Sequence, residues 1–376
     1  MSDVDFDVAV VGAGPAGAVT ALLLARAGRT VVLLDRGERP GSKNLSGGVL
    51  YGRVLDTVLP GWLDEAPVER TIGRNVVTLL TPTASVGLDY RDARLGEDSG
   101  AVSVLRSRLD PWLVERCEEA GAMSMPGILV DRLLTEPGTG ALPTVVGVRA
   151  GEDDLRCHVV VAADGVNSFL ARGIGLREAP APAQLAVGVK AVIGLPRATL
   201  EERFGVTGRH GVAHALVGDA TDQIAGGAFC YTNLDSVSVG VVLRLDDLVA
   251  RGADSAGVLD HLLAHPFIAD LVRGGELLEY GAHLVNEGGL GMLGRVHTDG
   301  LVVVGDAAGL TLNTGLTIRG MDLAIGSAIC AARAVDEALA TGDTSALGLS
   351  AYRRLLDGSF VGRDLRTFAK APAFLE

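Results

Sequence analysis

An apolar run, Val8–Val11, stops at Gly12-Ala13-Gly14-Pro15-Ala16-Gly17, and a stretch with helical spacing, Ala18–Gly28, follows at once. A second apolar run, Val31–Leu34, then closes on Asp35, 18 residues after Gly17. Strand, glycine turn, helix, strand and acid in that order specify a βαβ unit with a dinucleotide site at its first turn. Gly12 permits the tight turn, Gly14 lets backbone approach a pyrophosphate, and Gly17 lets the helix pack against the strand. Pro15 and Ala16 open the helix, whose first amides and positive dipole end face the phosphates. Asp35 is placed to accept the ribose hydroxyls, with Arg36 beside it. Three spaced glycines alone would mark only a turn. The flanking elements and the acid are what turn them into a site.

Composition agrees with a chain wrapped closely around something large. It has 51 glycines in 376 residues, about twice the usual share of roughly 7%. Hydrophobic residues make up 48% and charged residues 21%, so the chain can bury enough surface to offset its ordering entropy. A formal net charge of −13 disfavours nucleic acid as a partner. The four cysteines, Cys117, Cys157, Cys230 and Cys330, are far apart, which fits reduced thiols in a cytoplasmic protein and leaves no spacing for an iron–sulfur site. Asp3, Asp5 and Asp7 stand where a signal peptide would be basic, and no apolar run reaches the roughly 18–20 residues of a membrane span. The expectation is a cytoplasmic protein with at most peripheral contact at the inner face of a membrane.

Further along, Val76–Leu80 and Val145–Val148 alternate like strands. Leu109–Ala122 reads as a helix with Asp110 as N-cap and Pro111 in its first turn. His158–Gly165 returns to the buried-strand pattern. From about Leu176 to Glu287 strand-like runs dominate, around one helical stretch near Val258–Val272. Leu301–Gly309 restores the buried strand, and a long helix covers Asp322–Ala340. The fold class expected is α/β: a discontinuous Rossmann-like domain of the glutathione-reductase type with an inserted strand-rich α+β substrate domain. The boundaries expected are 1–175 and 286–345 for the nucleotide-binding domain, 176–285 for the insertion and 346–376 for a helical tail.

Two more glycine–acid pairs end buried strands: Asp164-Gly165 and Gly305-Asp306. With the first turn they form a trio suited to a long, extended cofactor, Asp306 toward a ribityl chain or a pyrophosphate-bridging water. Arg106, four residues before Asp110, is a candidate to neutralise the pyrophosphate or reach the flavin chain.

These motifs together resemble the flavoprotein group that includes p-hydroxybenzoate hydroxylase and geranylgeranyl reductase. Pro40–Gly48, Val187–Gly205, Tyr231–Val242, Asn286–Arg295 and Gly305–Ala328 are similar to the electron-transfer flavoprotein:quinone oxidoreductase family, nearest its FixC-type branch. The resemblance runs over essentially the whole chain. It implies FAD, with the adenosine against Gly12–Gly17 and Asp35 and the isoalloxazine against Thr317–Asp322. Gly320 and Met321 would approach the ring, Val130 would offer backbone to the adenine, and Ser46-Gly47-Gly48 would cover the flavin. It also implies electrons taken from reduced electron-transfer flavoprotein toward quinone or a ferredoxin-like partner. Two features depart from the family: the chain stops earlier than that branch does, and Gly294-Arg295 stands where Pro-Lys is usual. The alternatives are a stand-alone FAD-dependent dehydrogenase, reductase or monooxygenase acting on a small organic substrate, and a flavin-binding subunit without turnover.

No metal site is expected, although His210/His214 and His261/His265 are each spaced four apart. No serine elbow of the GxSxG type is present. Lys43, Tyr231, His283 and Arg319 either face the flavin's reactive side or serve as structural hydrogen-bonding groups. Trp62 is half-buried or dips into a membrane surface. No residue is assigned a catalytic role.

Overall fold

The computed structural model describes residues 4–42, 48–92, 94–95, 100–138 and 140–371. The chain forms two compact units, one of residues 1–43, 110–180 and 288–376, the other of 44–109 and 181–287.

The first unit is built on a sheet whose parallel strands run in the order Leu301–Val303, Asp153–Ala162, Phe6–Val11, Val31–Asp35, Met123–Pro126. From Phe6–Val11 the chain moves outward through Val31–Asp35 to Met123–Pro126, then returns to the other side of the first strand. The order therefore reverses between Phe6–Val11 and Asp153–Ala162, the switch point at which such sheets bind ligands. Val8–Val10, Val31–Leu33 and Val159–Ala162 are almost entirely buried, as continuous apolar runs in a parallel sheet require. The helix Pro15–Arg26 packs on strands Phe6–Val11 and Val31–Asp35, and the helix Met321–Thr341 packs on Pro15–Arg26 in turn. The 346–376 segment expected as a tail belongs to this unit: Tyr352 is fully buried and its hydroxyl donates to the Val303 carbonyl at 2.9 Å.

The second unit is a largely antiparallel sheet, ordered Glu276–Asn286, Leu185–Gly194, Ser236–Arg244, Gly226–Thr232, His210–Gly218, Val68–Leu80, Ala101–Val104, Gly48–Tyr51. Its core lies on one face, where Val189, Ala191, Ile193, Val237, Val239, Val241 and Leu243 meet Leu200, Phe204, Leu259, Leu262 and Ile268 from the helices.

Four expectations need correction. The span 1–175 is not one continuous first part, because Val68–Leu80 pairs in parallel with His210–Gly218 and so carries 44–109 into the second unit. The helix expected from Leu109 begins at Arg106 (Leu109 N–H donates to the Leu105 carbonyl at 2.9 Å), so Pro111 lies inside it and Asp110 is buried rather than capping. The helical stretch near Val258–Val272 is two helices, Ser255–Ala264 and Pro266–Val272. Pro266 bars the preceding residue from the helical region, and His265 is accordingly extended at ψ 131°. Trp62 is 1% exposed, its indole N–H donating to Asp56 at 2.9 Å, so it does not reach a membrane. Among the described residues no helix is long and apolar enough to cross a membrane.

Candidate functional site

The carboxyl ends of the parallel strands in the first unit are held level by backbone bonds. The Gly12 N–H donates to the Leu34 carbonyl at 2.7 Å, Ala163 N–H to Val11 at 2.8 Å and Val304 N–H to Ala162 at 3.0 Å. Gly12, Asp35, Asp164-Gly165 and Gly305-Asp306 therefore emerge along a single edge.

At the centre of that edge stands the glycine turn. Gly12 has φ +107°, and a Cβ there would lie 2.2 Å from the Ala163 carbonyl oxygen. A Cβ on Gly17 would lie 1.8 Å from the Gly12 carbonyl oxygen. The first and third glycines thus serve the packing of strand, turn and helix, as expected. Gly14 caps the helix Pro15–Arg26 and offers no side chain to its first turn, where helix amides have no carbonyl partner of their own. Those amides, at the positive end of a 12-residue helix, suit a pyrophosphate.

Asp35 has an additional structural role. One carboxylate oxygen accepts from Ala13 N–H at 2.8 Å and the other from Gly37 N–H at 2.7 Å. Each oxygen retains a lone pair for a ribose hydroxyl. Arg36 is exposed beside it. Ile128 N–H donates to the Asp35 carbonyl at 2.8 Å, which brings the loop holding half-buried Val130 to the same edge.

On the far side of the switch point, Asp164 accepts from Leu170 N–H at 3.0 Å through one oxygen, while the other is buried without a partner. Burial pushes the Asp164 carboxyl above its ordinary value. Next to it Ser168, in the left-handed region at φ 46°, also buries an unpartnered hydroxyl. Such orphaned groups in a native interior call for a missing partner.

Gly305 closes the ring of contacts: a Cβ there would lie 2.9 Å from the Ala16 Cβ, so the Gly305-Asp306 turn abuts the start of the first helix. Half-buried Asp306 accepts from the Thr311 hydroxyl at 3.4 Å. Gly320, the N-terminal cap of the 21-residue helix Met321–Thr341, is next to it: a Cβ would sit 3.6 Å from the Asp306 carboxylate. Met321 begins that helix. Arg319, a candidate for the flavin's reactive side, is bound to Asp322 and, at 3.2 Å, to Asp364. Burial raises the Asp322 carboxyl and the Arg319 guanidinium opposes that rise.

Uncapped helix amides, a ribose-competent carboxylate and orphaned polar atoms, all along one edge, fit an extended dinucleotide. Gly12, Gly14, Pro15, Ala16, Gly17, Asp35, Val130, Asp164, Gly165, Asp306, Gly320 and Met321 are in this first unit. Arg106 belongs to the second unit, where its charge acts on Lys190. Ser46, Gly47 and Lys43 lie outside the described residues.

Both histidine pairs have other surroundings. His210 and His214 are on a strand, and burial lowers His214 to about 4. His261 bonds Asp219 at 2.9 Å and His265 the Thr81 carbonyl at 2.8 Å. The four cysteines are buried, and burial raises Cys117, Cys157 and Cys230 to about 12. Lys190 was given no role in the sequence reading. It is 1% exposed, and burial lowers its amine to about 7. Its sequence signal was a lone lysine inside an apolar strand pattern, Leu185–Gly194.

Residues 5–204 match the family model described as FAD binding domain. The chain is 46% identical to the probable electron transfer flavoprotein-quinone oxidoreductase YdiS of Escherichia coli K12, across all of this chain and 87% of that protein. Protein FixC of the same organism is 42% identical with the same coverage. Among solved structures, a geranylgeranyl bacteriochlorophyll reductase-like protein from Thermoplasma acidophilum superposes with a TM-score of 0.79 at 21% identity, covering 98% of this chain and 87% of that one.

Proposed function

The chain belongs to the FAD-dependent electron transfer flavoprotein-quinone oxidoreductase family that includes FixC, and from that premise we propose that it takes electrons from reduced electron-transfer flavoprotein and passes them toward quinone or a ferredoxin-like partner. The observation that carries this reading is similarity over the whole chain, second unit included, to a relative named for that activity.

FAD, when bound, accepts and passes on electrons in pairs or singly. The chain's part is to hold and orient it. The amides at the start of Pro15–Arg26 bind the pyrophosphate, and Gly14 keeps that approach clear of side chain. Asp35, fixed by Ala13 and Gly37, receives the ribose hydroxyls. Asp306 takes a hydroxyl of the ribityl chain, and the start of Met321–Thr341 lies beside it with Gly320 leaving space. The buried thiols take no part, so a ferredoxin-like acceptor would bring its own cluster.

Anaerobic absorbance titration of the holoprotein with reduced electron-transfer flavoprotein, NADH and NADPH as separate donors tests the proposal. Bleaching by electron-transfer flavoprotein alone is the expected result. Direct bleaching by a nicotinamide would overturn it in favour of a stand-alone reductase or monooxygenase.

A further inference from the structure

The sheet of the second unit has a face opposite its helix-covered core, and that face carries a polar cluster. Along Leu185–Gly194 the odd-numbered Val189, Ala191 and Ile193 enter the core, so alternation turns Lys190 to the other side. Its direct neighbours across the two adjoining strands are Gly240 and Gly281. Tyr231 and Phe229 share this face through their pairing with Ser238 and Gly240. The Lys190 amine is 5.9 Å from the centre of the Tyr231 ring, and the Phe229 and Tyr231 rings stack at 5.3 Å. A Cβ on Gly240 would come within 2.5 Å of the Phe229 ring, so the glycine admits that ring. Ser238, the cross-strand partner of Tyr231, accepts at its hydroxyl from the Asn233 amide at 3.0 Å.

We propose that Lys190, with the stacked Tyr231 and Phe229 beside it, is the hydrogen-bond donor to the ring oxygen of a quinone-type acceptor. The inference rests on the reading that this protein passes electrons toward quinone, and it names the residue that receives the acceptor. A single amine against aromatic rings suits a planar ring carrying a carbonyl or enolate oxygen. A phosphate is better matched by the forked guanidinium groups that bind it bidentately. The titratable groups facing Lys190 are Glu279 and His283 on the neighbouring strand, Tyr231, and Arg106 at the start of its helix. Desolvation, the larger cause, and Arg106 both disfavour the charged amine, and together they outweigh Glu279, which favours it. The donor is accordingly charged below neutrality and loses its charge above it.

The test is spectral binding of 2-hydroxy-1,4-naphthoquinone, a coloured enolate, to oxidised FAD-loaded protein at pH 6 and pH 8.5, with no turnover. Wild type is expected to bind about 30-fold more weakly at pH 8.5. Lys190→Met should weaken binding at pH 6 at least tenfold and abolish the pH dependence, while Lys190→Arg should keep the affinity and remove the break. Retained flavin absorbance and an undiminished melting temperature show that each variant is folded; Lys190→Gln replaces Lys190→Met if that variant does not hold FAD. Equal binding by wild type and the uncharged variant would overturn the proposal and leave the quinone reading standing. No binding by FAD-loaded wild type at either pH would overturn that reading, and the proposal with it.

Discussion

The cofactor edge of the first unit and the Lys190 face of the second are built on different principles. The edge is a backbone construction: glycines without Cβ, helix amides and strand ends brought level by a parallel ladder, with side chains added at Asp35, Asp164 and Asp306. The Lys190 face is a side-chain construction, assembled from residues on separate strands by antiparallel register. Backbone sites depend on local order in the chain and tolerate no added atoms. Side-chain sites depend on which strands become neighbours, and their chemistry follows from burial.

Substitutions separate the two constructions, beginning with the largest effect. Gly17→Val places Cβ 1.8 Å from a backbone oxygen with nothing flexible to yield, so a loss of more than about 3 kcal/mol and of bound FAD is expected in melting and flavin content. Gly14→Val should spare the fold but abolish FAD retention. A preparation as yellow as wild type would remove this edge as the cofactor site.

In the second unit Lys190→Met should act in the opposite direction and stabilise. The folded amine titrates near 7, below its unfolded value near 10.4, so the unfolded chain binds more protons between those values and wild-type stability rises with pH across that window. The variant's advantage, on the order of a few kcal/mol below pH 7, should shrink toward zero by about pH 10. Denaturant melts at pH 6 and 9.5 measure it, and a pH-independent difference would show that burial does not perturb this amine.

Asp35→Ala removes the acceptor of two backbone amides as well as the ribose contact proposed for it. FAD affinity should fall by roughly 10–100-fold, at about 1.5–3 kcal/mol for a charged hydrogen bond, as measured by titrating apoprotein with FAD. Arg29→Ala sets the floor. Its pair with Asp336 is 25% and 40% exposed, and less than about 1 kcal/mol is expected by thermal melt.

The sequence was most readable where one stretch of chain carries the whole physical requirement. The glycine turn, its helix and Asp35 are contiguous, and each needed only its neighbours to be interpreted. The helix start at Arg106 was missed because Pro111 reads as a first-turn residue, although a helix can absorb one absent amide. The assignment of 44–109 failed because a parallel pairing between Val68–Leu80 and His210–Gly218 leaves no local mark. Trp62 was ambiguous for a similar reason: its burial depends on packing against Gly52, whose Cβ would lie 2.1 Å from the indole.

The sequence by itself determined the βαβ start, the dinucleotide class of the site and the acids that end its strands, because turn geometry and strand burial are local constraints. Tertiary structure alone decided that Asp35 clamps the turn it follows, that Gly305 abuts Ala16 at the start of the first helix, and that a lysine near the middle of the chain is buried beside a tyrosine. Each of these depends on which distant segments become neighbours in space. Local propensity does not encode that choice; burial of the whole apolar surface enforces it.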